Sequence, residues 1–475
     1  MATRHAAAEQ PKPPVGPPGT NGAIPSPNQI AWQEREFIGF LHFGVNTFTD
    51  REWGEGHEDE KLFNPVALDA KQWVKVAKEA GMKMLILTAK HHDGFCLWPS
   101  KVTQHSVVRS PWKGGKGDVV KELADACREG GIDVGLYLSP WDRTEATYGD
   151  SPAYNKFYLT QIAELTKDYG KISEFWFDGA CGEGPNGKKQ IYDFPAYWNA
   201  VRSNQPTVCL FSDAGPDVRW VGNEKGFAAD PNWAMVNLAG MTIGGNNKDQ
   251  THGLEGGANW CPTECDVSIR PGWFYHAAES LKLKTLKELV EIYYNSVGLN
   301  GVMLLNVPPD RRGLIHENDA ARLREFRAAI DAIFKDDLAR GHPATATNTR
   351  GNLPAYAPAM AVDGDKKTYW ATDEDVTAAS MEVDLGGPKK INRAVFQEAI
   401  ALGQRVKSFR VEVHDGISWM EVARGETIGY KRIVRFPEVT ASKVRLKIVQ
   451  SRACLVISNF GVYYASPAVD PTEAK

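Results

Sequence analysis

The stretch Asp69-Ala-Lys-Gln-Trp73-Val-Lys-Val-Ala77-Lys-Glu-Ala80-Gly81-Met-Lys-Met84-Leu85-Ile86-Leu87 decides the fold. Asp69 can cap a helix in which Trp73, Ala77 and Ala80 recur at helical spacing, and Gly81 ends it. Met84 to Leu87 is then a continuous apolar run of strand length. The same phrase recurs downstream. Asp118 precedes Val120, Leu123, Ala124 and Cys127 on one helical face, Gly130-Gly131 stops the helix, and the strand Val134 to Leu138 follows. Further units pair a helix in Tyr154 to Tyr169 with a strand Glu174 to Phe177, and a helix around Ala196 to Arg202 with a strand Val208 to Phe211. Helices Leu286 to Val297 and Asp319 to Phe334 flank the run Val302 to Leu305, and Phe37 to Phe43 opens the series. Strands apolar on both faces that alternate with amphipathic helices imply a parallel sheet covered by helices. No Gly-x-Gly-x-x-Gly follows the first strand, so a closed barrel fits better than a doubly wound sheet.

Around this core the chain divides into four parts. Residues 1–30 carry a Pro/Gly/Ala/Asn-rich run with few large apolar side chains and read as a tail or linker. Residues 31–340 form the expected barrel. From 341 to 466 short strand-like segments, Ser380 to Leu385, Ala394 to Gln397, Arg410 to His414, Ile433 to Phe436, Lys443 to Ile448 and Phe460 to Tyr464, alternate with turns such as Asp363-Gly364 and Asp415-Gly416. The expected fold class is therefore α/β, a (β/α)8-like barrel followed by a C-terminal β-sandwich, with residues 467–475 as a second tail.

Composition narrows the partners. The 475 residues are 42% hydrophobic and 24% charged, enough for a large core. Fifty-five basic against 59 acidic side chains give a net charge of -4, which creates no global field for nucleic acid or an anionic membrane. No apolar run reaches membrane-spanning length, and no hydrophobic leader follows Met1-Ala2-Thr3-Arg4, although secretory or extracellular action with the leader removed is the favoured location over the cytoplasm. Seven cysteines, odd in number and mostly within apolar runs, read as buried thiols. Cys261 and Cys265 have no second pair to complete a zinc spacing.

In a barrel, chemistry sits at the carboxyl ends of the strands. The first polar groups beyond each apolar run are His42 and Asn46 with Glu52-Trp53 in the following loop, then His91-His92-Asp93, then Tyr137, Trp141 and Asp142, then Asp178. Glu224, Arg270 with Trp273, and Asn306 come later. Histidines, tryptophans and carboxylates around one mouth suit a sugar, whose hydroxyls need hydrogen-bond partners and whose C–H faces stack on aromatic rings. Asp178 stands directly after Phe175-Trp176-Phe177, where a carboxylate is costly unless function or pairing retains it. The plain alternatives are that Asp178 caps the following loop, that Glu224 is a solvated loop residue and that His42 is a satisfied core histidine. Adjacent His91 and His92 point in different directions and no His-Glu-x-x-His spacing exists, so no metal is expected.

These residues resemble a known family. Phe40-Leu41-His42-Phe43-Gly44-Val45-Asn46-Thr47-Phe48, Glu52-Trp53, Thr88 to Phe95 and Glu174-Phe175-Trp176-Phe177-Asp178-Gly179 are similar, in order, to the α-L-fucosidases of glycoside hydrolase family 29. The resemblance implies a retaining exo-glycosidase without metal or organic cofactor, acting on fucosylated glycans. It implies Asp178 as nucleophile, and His42, His91, His92, Glu52, Trp53 and Tyr137 as the lining of the fucose pocket. Arg219 to Gly226 and Ser268 to Tyr275 resemble the branch that cleaves α-1,3- and α-1,4-linked, Lewis-type fucose. They imply Glu224 as acid/base and Trp273 facing the sugar. Alternatives are a broader or α-1,2/1,6-acting fucosidase and an inactive fucose-binding protein. Retention requires the two carboxyl groups about 5 to 5.5 Å apart. It also requires a raised pKa at Glu224 beside an ionised Asp178. Ala361-Val362-Asp363-Gly364, Tyr369-Trp370 and Met381 to Gly386 resemble the discoidin-like, galactose-binding-like sandwich, for which a bracing role is expected ahead of sugar binding. Oligomeric state leaves no mark in the sequence.

Overall fold

A computed structural model describes residues 15–473 except 246 and 248. Eight parallel strands close a barrel in sequence order: β1 (Phe37–Leu41), β2 (Met84–Lys90), β3 (Asp133–Leu138), β4 (Glu174–Trp176), β5 (Cys209–Ser212), β6 (Val218–Trp220), β7 (Thr263–Ser268) and β8 (Gly301–Asn306), which pairs back onto β1. Every residue of β1, β2 and β8 is buried, which is why these strands show no polar alternation. The barrel interior is filled by Trp32, Ile38, Phe40, Met84, Ile86, Tyr137, Trp176, Phe211, Val218, Val302 and Leu304.

The helices obey their sequence signals. Among them α1 (Pro27–Gln33) starts in a capping box at Ser26, α2 (Ala70–Ala80) is capped by Asp69 and α3 (Val119–Gly130) by Asp118. Gly81 and Gly131 close α2 and α3 in left-handed conformations that favour glycine. Helices α4 (Ser151–Asp168), α5 (Phe194–Asn204), α6 (Leu286–Asn295) and α7 (Glu317–Ile333) complete the layer around the barrel.

The C-terminal part is an antiparallel β-sandwich with its own core of Trp370, Met381, Val383, Phe396, Phe409, Val411, Leu446, Ile457 and Phe460. Its strands are β9 (Ala344–Ala346), β10 (Trp370–Ala371), β11 (Ala379–Glu398), β12 (Val406–His414), β13 (Trp419–Glu426), β14 (Arg432–Ser451) and β15 (Val456–Tyr463). They lie in the order β10-β15-β11-β14-β12-β13, with β9 on β11. The segments expected as separate strands, Ser380 to Leu385 and Ala394 to Gln397, are the two ends of β11. Register shifts between Asp384 and Lys389 and between Ile391 and Arg393 bend that strand and interrupt its apolar alternation.

Both expected tails differ from the structure where they are described. Residues 1–14 lie outside the described residues, but 15–30, although mostly exposed, are tethered by hydrogen bonds and run into α1. The buried Arg350 donates to the carbonyls of Gly16 and Pro17, the buried Arg405 donates to that of Gly19, and Asn21 N–H bonds Leu402 O at 3.0 Å. A Pro/Gly-rich run with few side chains of its own is ordered here because other residues satisfy its backbone. At the other end Asp470 is fully buried, in an ion pair with Arg393.

Candidate active site

The carboxyl ends of the strands bring most of the expected residues to one mouth. β1 delivers His42, β2 delivers His91-His92, Tyr137 lies near the end of β3, and Asp178 stands two residues past β4. Tyr137 Oη donates to Asp178 Oδ2 at 2.9 Å, and the Ala180 N–H donates to Asp178 Oδ1 at 2.7 Å. His92 Nε2 lies 3.9 Å from the same Oδ2. Asp178 is half-buried and accessible; besides capping its own loop through Ala180 it accepts from Tyr137. His42 packs at ring-centroid distances of 5.4 Å from His91 and 5.0 Å from Trp273, and His91 stacks on Tyr137 at 5.7 Å.

The other residues come from loops. Trp273 Nε1 donates to Glu224 Oε2 at 3.4 Å, which brings the loop after β6 and the loop after β7 together. Trp53 is 57% exposed at the rim, edge-on to Trp141 and His92. Glu52 holds the Trp273 loop: it accepts from Trp273 N at 2.8 Å, Phe274 N at 3.2 Å and His276 Nε2 at 2.6 Å. Arg270, behind that loop, is buried in a bidentate pair with Asp319.

Burial sets the protonation states. It drives His42 down to about 3 and His91 well below the ordinary histidine range. Burial also lowers His92, with the Asp178 charge opposing it. All three are neutral imidazoles at neutral pH, which suits hydrogen bonding to hydroxyls. Glu224 is raised, first by desolvation, then by the charges of Asp178 and Glu52, while the Trp273 indole pulls it back. One carboxylate braced by donors and one carboxyl biased toward its acid form are the elements of glycoside hydrolysis. Among the described residues no group of three or more His, Cys, Asp or Glu side chains could hold a metal ion.

The structure adds residues that sequence reading passed over. Asp213 follows β5 as Asp178 follows β4, and burial beside the Asp178 charge raises it to about 6. It lines a cavity of about 780 Å3 with Gly179, Tyr192, Trp198, Trp220 and Met241. Its position after an apolar strand was the available signal, masked by a Ser-Asp-Ala-Gly sequence that reads as a turn. Asp266, inside β7, accepts from Trp220 Nε1 at 2.7 Å and is raised by burial and then by the Glu224 charge. Ser139, which contacts His92, was likewise hidden in a Ser-Pro turn.

Comparison with known proteins agrees with this chemistry. Residues 26–329 match the family model described as alpha-L-fucosidase, and residues 343–458 match that of the F5/8 type C domain. Alpha-L-fucosidase 1 of Arabidopsis thaliana is 44% identical over 93% of this chain and 87% of its own length. The crystal structure of SpGH29 superposes with a TM-score of 0.90 at 40% identity, covering 95% of this chain and 100% of the other. A Ruminococcus gnavus GH29 fucosidase solved in complex with fucose gives a TM-score of 0.90 at 34% identity, over 97% of this chain and 98% of the other. A barrel whose strand ends gather histidines, aromatic rings and two unlike carboxyl groups, matched over most of its length by these proteins, belongs to the α-L-fucosidase family, glycoside hydrolases that release fucose from fucosylated substrates.

Proposed function

We propose that the enzyme is a retaining exo-fucosidase releasing α-1,3- and α-1,4-linked L-fucose from Lewis-type glycans by double displacement. Asp178 attacks the anomeric carbon while Glu224 protonates the leaving oxygen. Glu224 then takes a proton from the water that releases fucose. His42, His91, His92, Tyr137 and Trp273 surround the sugar, and Trp53 closes its rim. The observation that carries the mechanism is the asymmetry of the two carboxyl groups. Glu224 has its pKa raised by desolvation first and then by the charge of the neighbouring Asp178, which biases it toward the acid form. The linkage reading is supported by the 780 Å3 cavity that opens beside Gly179 and Trp220. That volume lies within the range of small-molecule sites and gives the second arm of a branched glycan room next to the fucose.

The test is fucose release from Lewis a and Lewis x trisaccharides against an α-1,2-fucosylated lactose, with NMR reading the first anomer formed. Branched substrates should be cleaved with net retention and the linear one poorly. Asp178→Asn should abolish turnover. Glu224→Gln should cost about 10²–10⁴-fold on a natural sugar, the usual contribution of general acid catalysis. It should cost less on an aryl fucoside whose leaving group needs no proton. Turnover surviving Asp178→Asn would remove the nucleophile, an inverted first product would remove double displacement, and equal cleavage of both linkage types would remove the specificity. Fucose binding with no turnover of any fucoside would favour a binding protein.

A further inference from the structure

Two of the three mouth histidines are held by neighbours whose own hydrogen bonds leave them no choice of role. His92 Nδ1 lies 2.7 Å from Ser139 Oγ, and that same hydroxyl lies 2.7 Å from the carbonyl oxygen of Trp141. Two oxygens at that distance attract only if a hydrogen lies between them, and a carbonyl has none to give. The single hydroxyl proton of Ser139 is therefore spent on Trp141, and Ser139 can only accept from His92. The backbone fixes the arrangement: Ser139 N–H donates to Lys90 O at 3.0 Å and Arg143 N–H to His92 O at 2.9 Å.

His42 meets the same logic from another direction. Its Nδ1 lies 2.9 Å from Asn306 Oδ1. The Asn306 amide cannot be turned over, because its Nδ2 donates to the Trp273 carbonyl at 2.8 Å and to Ser268 Oγ at 3.0 Å, and its Oδ1 also accepts the His42 N–H at 3.2 Å. Oδ1 is an acceptor, so His42 Nδ1 must donate.

We infer that Ser139 and Asn306 are positioning residues that fix His92 and His42 as Nδ1–H tautomers, so that both Nε2 atoms are obligate acceptors and the sugar subsite selects hydroxyl groups that donate. This rests on the fucosidase reading and deepens it by stating which way the hydrogen bonds run. Burial of both rings keeps them neutral, which removes the alternative of an imidazolium donating from both nitrogens. The gap at Asp178 then acquires a meaning. His92 Nε2 and Asp178 Oδ2, 3.9 Å apart, are two acceptors without a proton between them. Only a group that brings its own hydrogen, such as a ring hydroxyl, relieves their opposition. A ligand with a methoxy or fluoro group in that place supplies no hydrogen and should be rejected well beyond its loss of one contact, because the buried His92 Nε2 would be left unpaired beside the Asp178 carboxylate.

The experiment labels the full chain with 15N-histidine and reads the two nitrogens of His42 and His92 by long-range proton–nitrogen correlation at pH 7, assigning each by substitution. The expected result is a protonated Nδ1 and a bare, pyridine-like Nε2 for both rings, in the protein as it stands, without substrate. Either ring found with its proton on Nε2 would overturn the assignment for that residue. Ser139→Ala is then compared with Ser139→Thr, with circular dichroism confirming the fold of each. The alanine variant should show mixed His92 tautomers and weaker inhibition by L-fucose by about 10–100-fold, by analogy with the loss of outer partners of metal-ligating histidines. The threonine variant should restore both. Wild-type fucose binding by Ser139→Ala would also overturn the inference. If the wild-type chain bound no fucose at all, the fucosidase reading would fail, whereas the nitrogen spectrum would still decide the tautomers.

Discussion

Glu224 and Trp273 show how one indole can tune an acid. The Trp273 N–H points at Glu224 Oε2 and favours the charged carboxylate, whereas desolvation and the Asp178 charge favour the acid. Catalysis needs Glu224 protonated in the first step, so activity falls as pH rises through its pKa. Replacing Trp273 by Phe removes the one contribution that lowers this pKa and keeps the ring. The alkaline limb of the kcat/KM profile should therefore move to higher pH, even if the variant binds fucose less well. A limb that moves to lower pH would mean that another group sets it. His42→Phe should leave that limb in place, because a ring already neutral at pH 7 carries no charge to lose. Residues such as Asp178 and His92 were legible in the sequence because each lies shortly after an apolar run, Phe175 to Phe177 and Met84 to Leu87. Ser139 and Asp213 were not, because Ser-Pro and Asp-Ala-Gly carry the chemistry of ordinary turns, and only their neighbours in space give them another use.

At the scale of elements, β4 and β7 carry a pair of glutamates into the barrel interior. Glu174 accepts from Trp32 Nε1 and Glu264 from Trp176 Nε1, each at 2.7 Å, and the two carboxyl groups hydrogen-bond each other. Burial raises both above the ordinary 4.5; Arg35 and Asp217 act on Glu174, and Asp266 acts on Glu264. Two carboxyl groups in such contact retain a proton between them. A raised folded pKa means that the folded chain binds protons more tightly than the unfolded one. The pair's contribution to stability is thus complete below about 4.5 and is lost as pH rises through the folded values. Glu264→Gln replaces the protonated partner by an amide that can still accept from Trp176 and donate to Glu174, without titrating. Urea unfolding at pH 5 and pH 8.5 should show a smaller fall in midpoint for the variant than for the wild type. Parallel falls would place the alkaline sensitivity elsewhere. The same residues explain why the sixth and seventh strands escaped sequence reading. β6 has three residues, and Thr263-Glu264-Cys265-Asp266 places two carboxyl groups in a strand buried along its whole length. Apolar runs reveal a strand only where its side chains are hydrocarbon, and β7 carries Glu264, paired with Glu174, and Asp266, held by Trp220. The helices α2 to α7, whose caps and stops are local, were legible to within a few residues, whereas α1 lies largely in the run that reads as a tail.

For the whole molecule, two ion pairs and the C-terminal turn tie the sandwich to the barrel. Lys431 pairs with Glu36, and Arg432 forms a bidentate pair with Asp230 at 2.8 and 2.6 Å, so the start of β14 is joined to the barrel by charge. The C-terminal turn adds a buried tie. Arg393 on β11 meets Asp470 at 2.5 Å and Glu473 at 2.9 Å, and Tyr294 on the barrel helix α6 donates to Asp470 at 2.5 Å. Arg393 and Asp470 are both fully buried. Arginine does not discharge itself by losing a proton, so removing Asp470 leaves the buried cation with the half-exposed Glu473 alone, and removing the last turn leaves it with neither carboxylate. Breaking such a pair from one side typically costs about 3–5 kcal/mol, far more than a surface ion pair is worth. Asp470→Ala should therefore lower the unfolding midpoint strongly, and a chain ending at Ser466 should behave alike, although sequence composition marks these residues as a tail. The Arg393→Met, Asp470→Leu double variant removes both charges and should recover much of the loss, as apolar replacement of buried pairs often does. Turnover at 25 °C should change little in any of these, since the tie lies on α6 and β11 and contributes no group to the mouth. Equal stability of Asp470→Ala and the wild type would show that the last turn is dispensable. A loss of turnover without a loss of stability would show instead that the sandwich acts on the barrel's chemistry rather than on its persistence.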